Sequence, residues 1–363
     1  MTPLLKNKLK GEEDIFPSLC GMFEEKIGQE LEESKRGPCS SSTKVLITGG
    51  AGFIGSHTAD LLLSFGYEVA IVDNFNPYYD PSLKRANISY LLTTYGEESF
   101  MLYEGDICDT PFMESIFDDF PPDFVIHLAA RAGVRPSIEE PNLYVETNIE
   151  GTTTLLSLSA AHNVKHFVFA SSSSVYGDSS LEVFREDDNT DSPLSPYGAT
   201  KKACELLAFT YSHLHSLPCT GLRFFTVYGP RCRPDMAPFK FISRVAGGEK
   251  IQRFGDGSTS RDYTFVGDIV DGIARAMLRP NGFQVFNLGC GNPVRLSTFI
   301  SLVEENVGKE AIIEELPPQP GDVPRTSASV EKAREELGFQ PKVNIEEGIK
   351  ITVEWYKEYM GMN

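Results

Sequence analysis

The 363-residue sequence lacks the features that mark several classes of protein. No run approaches the roughly 18 consecutive apolar residues of a transmembrane helix, and the amino terminus, MTPLLKNKLKGEEDIF, has no signal-peptide core. Basic residues are in the minority, since 33 Lys and Arg face 51 Asp and Glu and the net charge is −18. Because nucleic acids bind to basic faces, we expect no nucleic-acid partner, and we expect neither membrane attachment nor secretion.

Paired cysteines are also missing. The seven cysteines are scattered, their number is odd, and none form a C-x-x-C pair. This pattern is typical of reduced thiols in a cytosol-like compartment, so we expect a cytoplasmic protein and no metal site. The composition, 41% hydrophobic and 23% charged, is ordinary for a folded chain of one large domain or two.

The pattern of the chain changes at residue 44. Residues 1–43 carry lysines, acidic clusters and a short stretch of helical spacing that contains Met22, Phe23, Ile27 and Leu31. Beyond it, apolar runs such as KVLITGG, EVAIVDNF, FVIHLAA and HFVFASSS alternate with helical stretches, and CTGLRFFTVYGP and FQVFNLG read as later strands. This alternation predicts an α/β fold with a doubly wound parallel sheet, the Rossmann architecture.

From about residue 230 the chain is richer in Gly, Pro and Arg, which indicates a smaller carboxyl-terminal lobe. We predict an extension over 1–43, a dinucleotide-binding domain over 44–229 and a substrate lobe over 230–363. A segment near 262–289 is expected to cross back to the first domain.

A glycine motif follows the first predicted strand. Gly49, Gly52 and Gly55 form the pattern G-x-x-G-x-x-G between a strand and a helix. Such glycines permit a tight turn and close approach of a diphosphate to the helix amino terminus. The next strand ends in Asp73, where a carboxylate binds the adenosine ribose and favours NAD over NADP; the alternative is that Asp73 only caps a helix.

Two further segments should border the same cofactor. Asp106 of EGDICD could reach the adenine amino group or could be an ordinary turn aspartate, and HLAARAG offers small residues where a backbone passes close to the cofactor. The predicted cofactor-binding residues are Gly49, Gly52, Phe53, Ile54, Gly55, Asp73, Asn74, Asp106, Ile107, Leu128, Ala129, Ala130, Tyr197 and Lys201.

Tyr197 and Lys201 of SPYGATKKACE stand four residues apart and therefore share a helix face. An ammonium one turn from a phenol, with a cofactor cation nearby, stabilises the phenolate, which is a credible general base for an alcohol proton. In isolation the pair would read as ordinary surface residues. The dinucleotide loop upstream and the run Ser172, Ser173 and Ser174 at the end of the fifth strand favour a catalytic role, although a solvated polar turn is the alternative for each serine.

With these residues in view, the chain resembles the extended short-chain dehydrogenases/reductases of the NAD-dependent nucleotide-sugar epimerase/dehydratase type. The resemblance spans about residues 44–357 and rests on TGGAGFIG, DICD, HLAA, SSSSVYG, YGATK and SRDYTFVGDIVDGI together. It implies an enzyme with NAD as cofactor and with Ser172, Tyr197 and Lys201 as the catalytic set, Lys201 also holding the nicotinamide ribose. In this family the sugar is oxidised at C4, and the 4-keto sugar is then epimerised, dehydrated or decarboxylated.

The resemblance also implies a choice among these outcomes. Dehydratases of the family carry an Asp-Glu pair where this chain has Ser173 and Ser174, so a dehydratase is disfavoured. AGVRPS, NPYYDPSLK, FFTVYGPRCRPDMAPFKF and QPGDVPRTSAS resemble the UDP-glucuronate 4-epimerases, which interconvert UDP-glucuronate and UDP-galacturonate, more than UDP-glucose 4-epimerases. Arginine and hydroxyl donors suit the C6 carboxylate. The predicted carboxylate ligands are Arg135, Ser173, Ser174, Thr226 and Arg233.

The nucleotide end of the substrate is expected in the second lobe. By resemblance, Arg261 contacts the diphosphate, Asp322 the uridine ribose and Arg325 a phosphate, although each arginine could be an ordinary surface or salt-bridge residue. Cys232 stands where the family often has glycine, which puts the placement of Arg231 and Arg233 in question.

Other functions stay open at this point. A UDP-glucuronate decarboxylase shares the first half-reaction, a UDP-glucose-type 4-epimerase shares the whole scheme, and a dinucleotide-binding protein without activity is a remote third reading. Two predicted helices, about 142–163 and 197–217, carry apolar faces beyond what one sheet face needs. In the resembling family these helices form a four-helix dimer interface, so we expect a homodimer.

Overall fold

The computed structural model describes residues 25–34, 43–177, 179, 181–317 and 323–362. Most of the amino-terminal extension lies outside these ranges, including Met22 and Phe23 of the predicted helix. The described part is helix α1 (Glu25–Ser34), whose Leu31 is fully buried. The hydroxyl of Tyr67 donates to the Leu31 carbonyl at 3.0 Å, and Glu30 pairs with Arg279 at 2.8 Å. This end of the extension is therefore docked on the body of the protein.

Thirteen strands occur in the described residues. In chain order they are β1 (Lys44–Thr48), β2 (Glu68–Asp73), β3 (Phe100–Glu104), β4 (Phe124–His127), β5 (His166–Ser172), β6 (Cys219–Phe224), β7 (Thr226–Tyr228), β8 (Lys250–Phe254), β9 (Ser260–Arg261), β10 (Tyr263–Phe265), β11 (Phe283–Leu288), β12 (Val294–Arg295) and β13 (Ile312–Leu316). Seven of them form one sheet in the order β11-β6-β5-β4-β1-β2-β3, with every neighbouring pair parallel. The predicted doubly wound parallel sheet is confirmed.

The order of this sheet determines where a ligand can bind. The chain runs outward from β1 through β2 to β3 and then returns to place β4 on the other side of β1. Connections on the two sides leave in opposite directions at such a switch point, and a crevice opens at the carboxyl ends of the strands. The β1 and β4 ends therefore form the floor of the candidate site.

The helices are bounded as follows. They are α2 (Phe53–Ser64), α3 (Pro81–Tyr95), α4 (Thr110–Asp119), α5 (Val134–Glu139), α6 (Pro141–Tyr144), α7 (Gly151–Ala161), α8 (Pro196–His215), α9 (Ala237–Gly247), α10 (Val266–Met277), α11 (Leu296–Val307), α12 (Glu331–Leu337) and α13 (Ile345–Met360). A π-helical turn (Val145–Glu150) joins α6 to α7, and a 3₁₀ turn (Ser173–Tyr176) follows β5. The first predicted dimer helix, about 142–163, is thus helical without a break over 141–161 and contains a π-helical segment. None of the described helices is long and apolar enough to cross a membrane.

Side chains alternate across the large sheet and build a core on each face. Val45 and Ile47 of β1 pack with α2 and α10 on one side, whereas Leu46 packs with α4, α7 and α8 on the other. Near-continuous apolar strands are what a parallel sheet covered on both faces requires. These two layers fix α2 and α8, which carry the glycine motif and the Tyr–Lys pair.

The chain after β6 adds small ladders outside the large sheet and also returns to it. CTGLRFFTVYGP, predicted as one strand, is interrupted at Phe225, because β6 belongs to the large sheet whereas β7 pairs with β10 in a separate two-stranded ladder. Helix α10 then packs on α2, and β11 joins the large sheet beside β6. The domain boundaries themselves stay predictions.

Candidate active site

Three glycines form the turn from β1 into α2. Gly49 has a left-handed backbone, with φ of +68°, and a Cβ there would lie 2.7 Å from the backbone nitrogen of Ala129. A Cβ on Gly55 would lie 2.2 Å from the Gly49 carbonyl oxygen, and one on Gly52 would lie 3.1 Å from it. Glycine alone permits this approach of strand, turn and helix. The resulting cradle at a helix amino terminus fits a diphosphate.

A cleft at the carboxyl ends of the central strands brings the predicted cofactor residues together. Every one of them borders it: Gly49, Gly52, Phe53, Ile54, Gly55, Asp73, Asn74, Asp106, Ile107, Leu128, Ala129, Ala130, Tyr197 and Lys201. Ser172 and Arg233 border the same cleft. The glycine cradle, the candidate base and one candidate carboxylate ligand thus face a common space.

Asp73 lies at the end of β2 and is almost fully buried. Its Oδ1 accepts hydrogen bonds from Lys84 Nζ and from the Phe75 amide, both at 2.9 Å. The side chains of Asp73 and Lys84 are only 3% and 11% exposed, so this is a buried ion pair that fixes the carboxylate at the cleft wall. Asp73 does not cap the following helix, since that role belongs to Asp80, which accepts from the Ser82 amide.

Asp106 lies at the end of the neighbouring strand. It accepts from the Cys108 amide at 3.0 Å and from the Asn74 side-chain nitrogen at 2.7 Å. Burial alone would raise the pKa of Asp106, but these two hydrogen bonds outweigh it and lower the pKa. Asp106 is therefore an ionised acceptor at the edge of the cleft, held in a turn that also holds Asn74.

Tyr197 and Lys201 lie on the first turns of α8. Ser195 caps this helix by accepting from the Gly198 amide at 3.1 Å, and Pro196 follows at the first helical position. Lys201 is 5% exposed, and its Nζ donates to the carbonyl oxygen of Ala170 on β5 at 2.7 Å. The ammonium is thereby held at the cleft, one helical turn from the Tyr197 phenol.

Ser172 ends β5 and borders the cleft. Its Oγ accepts from the Ser174 amide at 3.1 Å, which caps the 3₁₀ turn that Ser173 and Ser174 begin. Beneath it, Ser171 donates to the buried Glu205 of α8 at 2.6 Å, and Glu205 is bound by Arg223 at 2.8 Å. This network ties the end of β5 to α8 and so fixes Ser172 relative to the helix that carries Tyr197.

Arg233 borders the cleft from the second lobe. Its Nε and Nη2 donate to the two oxygens of Asp235 at 2.9 and 2.5 Å, and its guanidinium lies 5.5 Å from the ring centroid of Tyr78. Burial alone would lower the pKa of Arg233, but the bonds to Asp235 raise it further above its ordinary value. Arg233 is thus a permanent cation, oriented by an acidic neighbour.

The other carboxylate candidates are not among the residues that border the cleft. Thr226, at the start of β7, stands between Phe225 and Val227, which both border the cleft. The Arg135 guanidinium lies over the Phe254 ring of the second lobe, at 4.5 Å. Ser173 and Ser174 are half-buried in the 3₁₀ turn.

The nucleotide candidates are in the second lobe. Arg261 lies on β9, where its Nη1 donates to the Ser260 carbonyl at 2.9 Å, and Arg325 is exposed beside it through the Ser260–Arg325 bridge. Asp322 lies outside the described residues.

The chain is similar to known proteins in both sequence and structure. The sequence profile described as GDP-mannose 4,6 dehydratase matches residues 46–352. The chain belongs to this family. The matched residues run from within β1 to within α13. This chain has Ser173 and Ser174 at the positions where we expect dehydratases of the family to carry an Asp-Glu pair.

Individual relatives of the family are epimerases. A UDP-glucuronate 4-epimerase of Thermodesulfobacterium geofontis is 45% identical over 314 residues, which cover 86% of this chain and 96% of the relative. The crystal structure of a UDP-glucuronic acid 4-epimerase from Bacillus cereus, in complex with UDP-glucuronic acid and NAD, is 35% identical with a TM-score of 0.82, covering 87% and 100% of the two chains. A UDP-glucose 4-epimerase of Thermotoga maritima with UDP-glucose is 36% identical with a TM-score of 0.79, covering 88% and 100%.

The structure adds residues that the motifs did not indicate. Tyr78, Tyr79, Lys84 and Arg131 all border the cleft. Tyr78, Tyr79 and Lys84 belong to NPYYDPSLK, a segment singled out only for its resemblance, and Arg131 belongs to HLAARAG. Three of them follow β2 in the chain and Arg131 follows β4, and no local spacing predicts that they share the cleft.

A buried histidine supports the cleft floor. His127, at the end of β4, has its Nδ1 2.7 Å from Thr48 Oγ1 and its Nε2 2.9 Å from Thr152 Oγ1. Burial, followed by the nearby Lys201 ammonium, lowers the pKa of His127 to about 3. The imidazole is therefore neutral at neutral pH and ties β1, β4 and α7 together without adding charge.

Proposed function

We propose that this protein is a UDP-glucuronate 4-epimerase, an isomerase that interconverts UDP-glucuronate and UDP-galacturonate. The observation that carries the proposal is one cleft bordered by a dinucleotide cradle, the Tyr197–Lys201 pair and the cation of Arg233. The UDP-glucuronate 4-epimerase relative, at 45% identity, supports the same reaction.

The residues of the cleft fit NAD as the resident cofactor. The glycine turn would hold the diphosphate, Asp73 the adenosine ribose and Asp106 with Asn74 the adenine. A carboxylate at the ribose would repel a 2′-phosphate, which favours NAD. When bound, NAD⁺ supplies the acceptor for the C4 hydride and the donor that returns it to the opposite face.

Residues of the chain itself remove and return the proton of the sugar 4-hydroxyl. Tyr197 is the general base that removes the proton from the sugar 4-hydroxyl and returns it after the 4-keto sugar has turned over. Lys201, held by the Ala170 carbonyl, stabilises the phenolate by its charge and would also bind the nicotinamide ribose. Ser172 assists by hydrogen bonding to the reacting oxygen. Proton removal and hydride loss together leave a neutral carbonyl at C4.

The carboxylate of the sugar requires its own ligands. Arg233 is the proposed cation, with Ser173, Ser174 and Thr226 as hydroxyl donors and Arg135 at the outer edge. A 4-keto uronate is a β-keto acid, which loses CO₂ readily when its C–CO₂ bond stands perpendicular to the carbonyl plane. Fixing the carboxylate away from that geometry favours epimerisation over decarboxylation.

The second lobe is proposed to bind the nucleotide. Arg261 would contact the diphosphate, Arg325 would support it and Asp322 would bind the uridine ribose. Arg261 and Arg325 stand on adjacent backbone segments, because Arg325 pairs with Ser260, the residue before Arg261.

Assembly and location are proposed separately. Leu206, Phe209 and Leu214 of α8 are 58%, 54% and 66% exposed, an apolar face that a second copy would cover through α7 and α8. Phe209→Asp should convert a homodimer into a monomer in light scattering, whereas a wild-type protein that is already monomeric would contradict the proposal.

A cytoplasmic location is proposed from the scattered thiols and is tested by cell fractionation.

One experiment tests the reaction. The purified protein is incubated with UDP-glucuronate without added NAD, and the products are separated. UDP-galacturonate supports the proposal, whereas a UDP-pentose product indicates a decarboxylase and unchanged substrate indicates a binding protein. UDP-glucose is tested in parallel, because the solved UDP-glucose 4-epimerase is 36% identical and makes the neutral sugar a specific second candidate.

A further inference from the structure

A completely buried arginine stands two residues before Arg233. The side chain of Arg231 is 0% exposed, and its Nη2 donates to Asp60 Oδ2 at 3.2 Å. Its guanidinium also lies 4.3 Å from the ring centroid of Tyr90. Asp60 in turn accepts from the Tyr95 hydroxyl at 2.8 Å. A buried charge needs a compensating partner, so Arg231 is anchored to Asp60 rather than mobile.

The anchor belongs to the helix that begins at the glycine cradle. His57 and Asp60 are three residues apart on α2 and therefore face the same way. His57 Nε2 lies 3.0 Å from the carbonyl oxygen of Pro230, and since a carbonyl only accepts, the imidazole donates this bond. Burial lowers the pKa of His57 well below its ordinary value, so the ring is neutral and keeps one N–H for this contact. We name this set of His57, Asp60, Pro230 and Arg231 the α2 clamp.

The clamp holds the backbone in an unfavourable conformation. Arg231 has φ of +61°, in the left-handed region that side chains other than glycine rarely adopt. Cys232, the residue that departs from the family pattern, is buried beside it, and its amide donates to Gly229 at 3.3 Å. Arg231 is buried in the protein, whereas Arg233, two residues later, borders the cleft.

We propose that the α2 clamp is a positioning device that sets the affinity of the cleft for the substrate carboxylate by fixing the backbone from which Arg233 reaches it. Arg231 and Asp60 do not touch the substrate in this account; they act through Arg233. The inference rests on the proposed function, because it assigns Arg233 to the carboxylate. The α2 clamp would thus connect helix α2, which follows the glycine turn, to the preference of Arg233 for a sugar that carries a carboxylate.

The test measures discrimination between a carboxylate and a neutral sugar. The holoenzyme carries Tyr197→Phe to stop turnover, and the Kd values of UDP-glucuronate and UDP-glucose are measured by calorimetry. The test variant adds Asp60→Asn and Arg231→Met, which removes both charges and leaves no lone buried ion. We expect the Kd of UDP-glucuronate to rise about tenfold, the loss of roughly one charge-assisted hydrogen bond, with the Kd of UDP-glucose and the NAD content unchanged.

A matched control removes a different buried ion pair. Asp271 and Arg275 of α10 pair at 2.7 Å with side chains only 10% and 2% exposed, and neither borders the cleft. Asp271→Asn with Arg275→Met should lower the melting temperature and leave the ratio of the two Kd values at the parent value. A purely structural α2 clamp would behave in the same way, so an unchanged ratio in the test variant overturns the inference.

A second variant covers the case in which the double variant does not fold. Arg231→Gly with Asp60→Asn removes the anchor without leaving a lone buried carboxylate, and glycine accepts the left-handed φ without strain. It should show the same selective loss of UDP-glucuronate affinity, and retention of the parent ratio would overturn the inference. If the parent protein itself shows no preference for UDP-glucuronate over UDP-glucose, the proposed function has failed instead.

Discussion

Lys84 donates to the Asp73 carboxylate at 2.9 Å, placing a buried cation beside the acid proposed to bind the adenosine ribose. The pair orients the carboxylate and leaves the cleft wall close to neutral. The local sequence around Asp73 does not predict this ion pair, because Lys84 is eleven residues further on, at the start of α3.

Removing Asp73 should therefore change the choice of cofactor. In Asp73→Ala the affinity for NAD should fall about tenfold, because a hydrogen bond to the ribose is lost. The uncompensated Lys84 ammonium should at the same time improve binding of NADP through its 2′-phosphate. Titration of the apoprotein with both dinucleotides checks this. A variant that still rejects NADP as strongly as the wild type would show that Asp73 does not set the preference, and Asp73→Ala with Lys84→Met should abolish any gain.

Arg233 should control both affinity and product. In Arg233→Ala the KM for UDP-glucuronate should rise by about one to two orders of magnitude, since a charged contact is lost, and the fraction of UDP-pentose should increase. Arg233→Lys keeps the charge without the planar fork and should show a smaller change in both. Product analysis by chromatography gives the ratio. An unchanged ratio of pentose to galacturonate in the alanine variant would remove Arg233 from the control of decarboxylation.

The stability of the fold should fall in mild acid because of buried neutral histidines. His166 contacts Met277 and Thr220 in the core, and burial lowers its pKa to about 4. Its contribution is fully present above the unfolded pKa of about 6.5 and is lost as the pH falls toward 4, at about 1.4 kcal/mol per pH unit. Asp268, whose pKa burial raises to about 6, acts in the opposite direction over part of this range.

Urea unfolding at pH 7 and pH 5 isolates the histidine. The free energy of unfolding of His166→Gln should drop less between these two pH values than that of the wild type, by about 2 kcal/mol. His215→Gln removes an exposed histidine instead and serves as the control. Equal pH dependence in wild type and His166→Gln would contradict the assignment.

The central sheet and the residues on the cofactor side of the cleft could be predicted from the sequence. Consecutive apolar strands alternate with helices, and parallel strands bring their carboxyl ends to one edge, so Gly49, Asp73, Asp106 and Lys201 had to meet there. This reasoning needs only local patterns and one topological rule.

The substrate side could not be predicted in the same way. The position of Arg135 over Phe254 depends on how distant segments of the chain pack together. The break between β6 and β7 at Phe225 depends on the pairing of β7 with β10. Because Cys232 departs from the family pattern, the sequence left the placement of Arg231 and Arg233 in question. In the structure the residue with the left-handed backbone is Arg231, and Asp60, far earlier in the chain, binds its side chain. Such long-range side-chain contacts leave no periodic signal.

The central claim is that the Tyr197 phenolate removes the proton from the sugar 4-hydroxyl. The most direct measurement compares the rate at which wild type and Tyr197→Phe convert UDP-glucuronate into UDP-galacturonate, with calorimetry to show that both bind the substrate. The account predicts a loss of about two to four orders of magnitude in rate with little change in affinity. Tyr211→Phe, the same change further along α8, should retain the wild-type rate. A Tyr197→Phe protein that inverts C4 as fast as the wild type would contradict the account.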